Sequence, residues 1–345
     1  MNYGTCGNMN GGREASGFVC RMRSREKYLR RVFAAYAFST NSQLSFWHET
    51  PSVNEETAFD RLGQYYMPFT HKAHYPGPFD DTGVPLLDYH GEIGRQYYSI
   101  AIAQYALANY NLFKRTGETR YLEKFISNSR WLLEQLAPTS YGTYLWATHF
   151  DFEYYRTLKA PWYSGLAQGQ GLSVLARAYA ETGDSAFLDA SHRVFESLCL
   201  PVNQGGALYH DPDGHVWIEE YIIDPPTHIL NGFLWALWGV YDYVLLTGEP
   251  AARELFESCV HTITRYLPAY DSGFWSYYEL TPQRIKSIAS PFYHRLHIVQ
   301  LNIMHRMTGI TAFESCADRW QRYLSNRLYG TAALLYKVCF KLMYY

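Results

Sequence analysis

The chain has 345 residues, 48% hydrophobic and 18% charged, which is the balance of a globular protein with a sizeable core and excludes a disordered one. Lys plus Arg number 30 against 32 Asp plus Glu, a formal charge of −2, and no long basic block occurs, so no nucleic-acid partner is expected. No apolar run reaches the roughly 18 residues that a membrane-spanning helix needs. Residues 1–20 lack the apolar stretch of a secretory signal, so a cytoplasmic location is expected over a secreted one. Cys6, Cys20, Cys199, Cys259, Cys316 and Cys339 include no close pair and stand mostly in apolar helical context, the pattern of buried free thiols.

In chain order, residues 26–38 read as a basic amphipathic helix packing on the exterior. Residues 40–95 are loop-rich, with a turn cluster at 75–83, and a segment of that kind is expected to wall one side of a cleft. A repeat then organises the chain. Thr116-Gly117, Thr182-Gly183, Thr247-Gly248 and Thr308-Gly309 recur at spacings of 66, 65 and 61 residues. Each is preceded by an apolar helix (100–115, 168–181, 229–246, 297–307) and followed by an amphipathic one (120–136, 185–198, 251–267, 312–328). Glycine past the last turn supplies the left-handed cap, so each unit is a helical hairpin. Strand character lies between the hairpins, at 141–146 pairing with 150–154, at 207–210 with 216–221, and at 273–280. Helical hairpins cannot bury their faces alone; stacking or ring closure does so, and a complete or incomplete toroid fits best. A mainly α fold is predicted, an α/α toroid over 96–345 with short β-hairpins at its rim and the more apolar helices inside, on which the segment 1–95 packs. The apolar helix at 332–343 would be buried by docking or in a homodimer.

Tyrosine accounts for 32 residues, and many cluster where the inner helices begin: Tyr154-Tyr155-Arg156, Trp162-Tyr163-Ser164-Gly165, Trp217 to Tyr221, Trp275 to Glu279 and Phe292-Tyr293-His294. A phenol combines an apolar face with a hydroxyl that donates or accepts. Mixed with carboxylates, amides and histidines, such residues suit a sugar-binding cleft. His294 and His297 stand three apart on one helical face, but no third ligand accompanies them, and neither a metal nor any other cofactor is expected.

Four ordered stretches resemble the C-terminal domain of D-glucuronyl C5-epimerases, which act on heparan-type polysaccharides. They are Ile102-Ala103-Gln104-Tyr105-Ala106-Leu107; Trp162 to Gln170, continuing to Arg177-Ala178-Tyr179; Glu219-Glu220-Tyr221 through Pro225 to Leu230-Asn231-Gly232-Phe233; and Tyr293-His294 with His297-Ile298 and Gln300-Leu301. The resemblance covers roughly residues 80–328. It implies an α/α-toroid catalytic domain, here without room ahead of the helices for the family's β-rich N-terminal domains, and an acidic polysaccharide as substrate. The catalytic Glu-Tyr pair falls on Glu220 and Tyr221, with further tyrosines at Tyr278 and Tyr293. Tyr98, Tyr163, Gln170, Glu219, Asn231, His294 and His297 are expected to contact substrate. Where the family has Arg-Trp-Asp before its last tyrosine, this chain has Ser290-Pro291-Phe292. Arg156, His294 and Arg295 are the candidates to replace that arginine.

Inverting C5 of D-glucuronate to L-iduronate requires removing the proton alpha to a carboxylate and returning one to the opposite face. Glu220, or a base assisted by Tyr221, is expected to abstract, Tyr293 to deliver, and Tyr163 and Tyr278 to orient the sugar. Strand alternation raises a difficulty, because Glu219 and Tyr221 would share a face that Glu220 does not. Either the strand ends before Glu220 or Glu219 is the inward carboxylate. A lyase would share the proton abstraction. A glycoside hydrolase would pair two carboxylates from Glu153, Glu219, Glu220 and Glu279, and a carbohydrate-binding protein would use the aromatic rim alone.

Overall fold

A threonine and a glycine close each of four long helices by the same set of bonds. In the computed structural model, which describes residues 46–47, 49–89 and 93–344, these helices are α1 (Ser99–Thr116), α3 (Gly165–Thr182), α5 (Leu230–Thr247) and α7 (Pro291–Thr308). The glycines that follow have φ of 71°, 67°, 68° and 71°, a region a Cβ would disfavour. Each threonine hydroxyl donates to the carbonyl four residues back and accepts from the amide two residues on. The chain then reverses into α2 (Thr119–Gln135), α4 (Ser185–Cys199), α6 (Pro250–Tyr266) and α8 (Thr311–Ser325), and α9 (Arg327–Tyr344) closes the fold.

The two helices of each hairpin differ in burial. Residues 230–240 of α5 are buried without interruption, whereas α6 buries only one face, through Ala252, Leu255, Phe256, Cys259, Val260 and Ile263. The more deeply buried helices pack in the order α1, α3, α5, α7 as an inner layer, each backed by its amphipathic partner. This is the expected mainly α architecture of paired helices in an α/α-toroid arrangement.

Residues 54–69 reach all four inner helices. The Tyr65 amide donates to Asn111 of α1, the Tyr66 hydroxyl donates to Asp242 of α5 at 2.7 Å, and Glu55 pairs with Arg306 of α7. Asp242 is also gripped by Arg177 of α3 through two bonds of 2.6 and 3.0 Å in a fully buried pair. A charge pair at such depth is tolerable only when its remaining bonds are satisfied. Tyr66 and the carbonyls of Gly63 and Ser173 supply them.

The inner helices touch most closely at glycines. A Cβ on Gly169 would stand 2.3 Å from the Ala236 Cα, and one on Gly239 would stand 2.0 Å from the Gly169 carbonyl oxygen. At that crossing α3 and α5 pack backbone against backbone.

The short strands depart from expectation. Ahead of the first hairpin, β1 (Leu87–Asp88) pairs with β2 (Arg95–Gln96). Residues 141–146 do not pair with 150–154; β3 (Ala137–Pro138) pairs with β4 (Tyr144–Leu145), β5 (Ala147–Thr148) with β8 (Trp162–Tyr163), and β6 (Phe152–Glu153) with β7 (Thr157–Leu158). Residues 273–280 make only isolated bridges. The turn at Asp211–Gly214 does join β9 (Leu208–His210) to β10 (Val216–Ile218). Helix α7 begins six residues before the expected 297, because the Ser290 side chain caps it by accepting from the Tyr293 amide and Pro291 fits its first turn. Cys199, Cys259, Cys316 and Cys339 are free thiols, the last of them exposed. The expected helix at 26–38, Cys6 and Cys20 lie outside the described residues. No helix among the described residues is long and apolar enough to cross a membrane.

Gly239→Ala would wedge α3 from α5. Overpacking of this kind costs about 1–3 kcal/mol, so thermal denaturation of G239A should show a clearly lowered Tm. A Tm equal to the parent's would contradict the close crossing.

Candidate active site

The inner helices all begin at one rim, and a cavity of about 410 Å³ opens there. That size suits a small ligand or a short stretch of a polymer. Ile100 and Gln104 of α1, Leu166 of α3, Asn231 and Trp235 of α5, and Tyr293 and Leu296 of α7 reach it from the helices. Trp47, residues 49–52 and 67–69, Lys72, Asp88 and Tyr89 form another wall.

Glu220 reaches this cavity because the strand before it stops. The β9–β10 ladder ends at Ile218, and the Glu219 amide makes one last bond to the Ala207 carbonyl. The Glu219 carbonyl accepts from the Gly165 amide, where a Cβ on Gly165 would stand 2.4 Å from that oxygen. Free of the pleat, Glu219 and Glu220 diverge. Glu219 accepts from the His228 amide and pairs with its Nδ1, clamping the loop that leads to α5. Glu220 and Tyr221 both turn to the cavity. The Glu220 carboxyl lies on the first turn of α5, where a Cβ on Gly232 would fall 2.0 Å from its Oε2.

The surroundings of Glu220 are dry and phenolic. It is 6% exposed, and its Oε2 has no hydrogen-bond partner in the protein. Burial pushes its pKa up to about 8, with the Tyr221 hydroxyl opposing and Glu279 and Glu219 adding to the rise. Tyr98, Tyr221, Tyr278 and Tyr293 are close enough to feel the Glu220 charge, and burial, helped by that charge, raises all four phenols. The Tyr278 and Tyr293 rings meet edge to face at 4.9 Å. On α5, Asn231 and Trp235 sit one turn apart, and both Asn231 Oδ1 and Trp235 Nε1 are buried without a protein partner. Glu49 Oε2 on the other wall is a fourth such atom. Buried polar atoms are nearly always bonded, so four unpartnered ones around one cavity mark a surface built for a polar ligand.

The expected site residues thus fall into two groups. Glu220, Tyr221, Tyr293, Tyr98 and Asn231 line the cavity. Tyr278 backs Tyr293, and Gln170 lies beneath, accepting from cavity-lining Gln104 at 3.1 Å. The others are engaged elsewhere. Glu219 holds His228, and the Tyr163 hydroxyl donates to the Gly206 carbonyl. His294 stacks on Trp275 at 4.0 Å, and both His294 and His297 reach the Ser276 hydroxyl; burial lowers both pKa values, that of His294 to about 4. Arg156 donates to the Asp224 carbonyl on the outside, and Arg295 does not line the cavity. Among the described residues no cluster of three or more His, Cys, Asp or Glu side chains is arranged to hold a metal. Lys72 and Trp235, by contrast, carried no signal in the sequence; Lys72 is an isolated lysine in a loop-rich segment, and Trp235 reads as one more apolar residue of a buried helix.

The family model described as D-glucuronyl C5-epimerase C-terminus matches residues 140–322. An uncharacterized protein of Methanocaldococcus jannaschii is 26% identical over 268 residues, covering 71% of this chain and 85% of that one. A D-glucuronyl C5-epimerase of Caenorhabditis elegans is 30% identical over 177 residues, 47% of this chain but only 29% of the nematode protein. Among solved structures, an unsaturated glucuronyl hydrolase from Streptococcus agalactiae aligns with TM-score 0.44 and 14% identity over 66% of this chain and 58% of that one. A cellobiose 2-epimerase from Spirochaeta thermophila aligns with TM-score 0.47 and 12% identity over 86% of this chain and 72% of that one. With the match running through more than half of its length, Glu220, Tyr221, Tyr278 and Tyr293 included, the chain belongs to the D-glucuronyl C5-epimerase C-terminus family.

Proposed function

We propose that the chain is an enzyme acting on uronate residues of an acidic glycan, and that Glu220 and Tyr293 transfer the C5 proton of the sugar. One observation carries this reading. Of the rim carboxylates Glu153, Glu219, Glu220 and Glu279, Glu220 alone lines the cavity. Glu153 is exposed and bonded to Thr157, Glu219 clamps His228, and Glu279 accepts the hydroxyls of Tyr154 and Tyr155. The site therefore offers one buried carboxyl among phenols, which suits moving a proton on and off carbon.

The C5 proton is weakly acidic because its removal spreads charge onto the adjoining carboxylate. A base with a pKa near the working pH balances availability against strength, and a value of about 8 puts Glu220 in that range. The tyrosines, raised above their ordinary value, stay protonated at neutrality. They are donors, able to return a proton or to bond the developing charge. Abstraction by Glu220 from one face and delivery by Tyr293 from the other would convert D-glucuronate to L-iduronate, in the finer reading within a heparosan-like polymer. Elimination after the same abstraction makes a lyase. Hydrolysis is the second reading, because Glu49 and Asp88 also line the cavity, and a carboxylate pair is what that reaction needs.

Incubation of heparosan-type polymers in deuterated water, followed by NMR, separates these outcomes. Deuterium at C5 with new iduronate signals is expected; unsaturated uronate would make the chain a lyase; new reducing ends without C5 deuterium would overturn the proton-transfer reading. Glu220 must be deprotonated to abstract, so kcat at saturating substrate should rise with pH and level off above about 8. Glu220→Gln should lower the rate about 10²–10⁴-fold and remove that rise, and a wild-type profile flat from pH 6 to 9 would count against Glu220. In Gly232→Ala the new methyl group must displace the carboxyl, so kcat should fall at least about tenfold with ligand affinity held within a few-fold; unchanged turnover would show that the carboxyl position does not matter.

A further inference from the structure

The carbanion-like state proposed above needs a cation or strong donor at the substrate carboxylate, yet none of Arg156, His294 and Arg295 lines the cavity. Lys72 does. Among the described lining residues it is the single Lys or Arg, against the acids Glu49, Asp88 and Glu220. It is 4% exposed, and lysines are almost never so deeply buried without a charge partner.

Its surroundings hold the ammonium in place, and among the described residues the charge that acts on it is that of Glu49. Nζ donates to the Phe46 carbonyl at 2.6 Å and lies 4.5, 5.5 and 5.6 Å from the ring centroids of Phe46, Trp47 and Phe69. Aromatic faces attract a cation without neutralising it. The carboxylate that faces it, Glu49, acts through space while its Oε1 accepts from the His71 amide. The backbone is also constrained here. Phe69 has φ 50° and ψ 31°, a left-handed conformation that costs a non-glycine residue free energy and recurs at ligand clamps. That turn starts the helical segment Thr70–Ala73 and leaves both Phe69 and Lys72 on the cavity wall. Burial draws the Lys72 pKa down to about 7 against the pull of Glu49, so an incoming anion would gain by restoring its charge.

We infer that Lys72 is the carboxylate-binding residue of this cavity, taking through Nζ the carboxyl group of a uronate. The inference rests on the uronate reading above.

Calorimetric titration of the full chain in a Glu220→Gln background separates the two claims. One ligand is a heparosan hexasaccharide; the other is its carboxyl-reduced counterpart, with glucose in place of glucuronate. The background protein should prefer the charged ligand, and adding Lys72→Met should weaken it about 10- to 100-fold while leaving the reduced ligand unchanged. Lys72→Arg, which keeps the charge, should retain part of the preference. Equal weakening of both ligands by K72M would mark a packing role and overturn the assignment. A preference that survives K72M would do the same while sparing the uronate reading. No preference in the background protein would defeat the uronate reading itself, and the Lys72 assignment with it.

Discussion

Close backbone contact at glycines is the constraint on which the rest of this molecule depends. Gly169 and Gly239 let α3 and α5 meet with no side chain between them, and at the rim end of the same seam Gly165 and Gly232 admit the end of β10. The seam fixes where the inner helices start relative to one another. It also presses the Glu220 carboxyl onto the first turn of α5 and away from solvent. A Cβ at any of these positions would need space that backbone or a carboxyl already occupies. The fold and the chemistry of the cavity therefore share one steric cause.

From that placement the electrostatics follow. A carboxyl that is buried, lacks a partner for one oxygen and stands near two other glutamates holds its proton to higher pH than an exposed one. Each surrounding phenol is raised in turn by burial, and the Glu220 charge adds to it. The result is a set of groups that keep their protons near neutrality, of which Glu220 alone lies within reach of losing its own. Charge on the opposite side of the balance comes from the N-terminal segment, whose Lys72 is held by rings rather than by an ion pair. That segment is also tied to the inner helices through Tyr66, Asp242 and Arg177.

The helical hairpins were legible in the sequence because their signal is local. Thr-Gly at a regular spacing states both the end of a helix and the reversal after it, and the bonds at Thr182 and Gly183 recur at the other three turns. The convergence of Glu220, Tyr221 and Tyr293 was legible only through motif resemblance; strand alternation by itself left Glu219 and Glu220 unresolved. What decided between them is that β10 stops at Ile218, an event set by the Gly165 contact and thus by tertiary packing. The start of α7 departs from expectation although Ser290-Pro291 is a readable cap. The pairing of two-residue strands such as β5 with β8 has no sequence signature, because ladders so short carry no register. Lys72 is the extreme case, since burial and aromatic surroundings created by distant segments give an ordinary lysine its character.

The most direct test is a crystal structure of the Glu220→Gln chain with a glucuronate-containing oligosaccharide bound. The C5 atom of one uronate should lie between the substituted side chain at position 220 and the Tyr293 hydroxyl, which should stand on opposite faces of the ring. Each should be within hydrogen-bond reach of its proton, about 2.6–3.2 Å between heavy atoms. A sugar bound with a glycosidic oxygen, and not C5, against position 220, or bound outside the cavity altogether, would contradict the account.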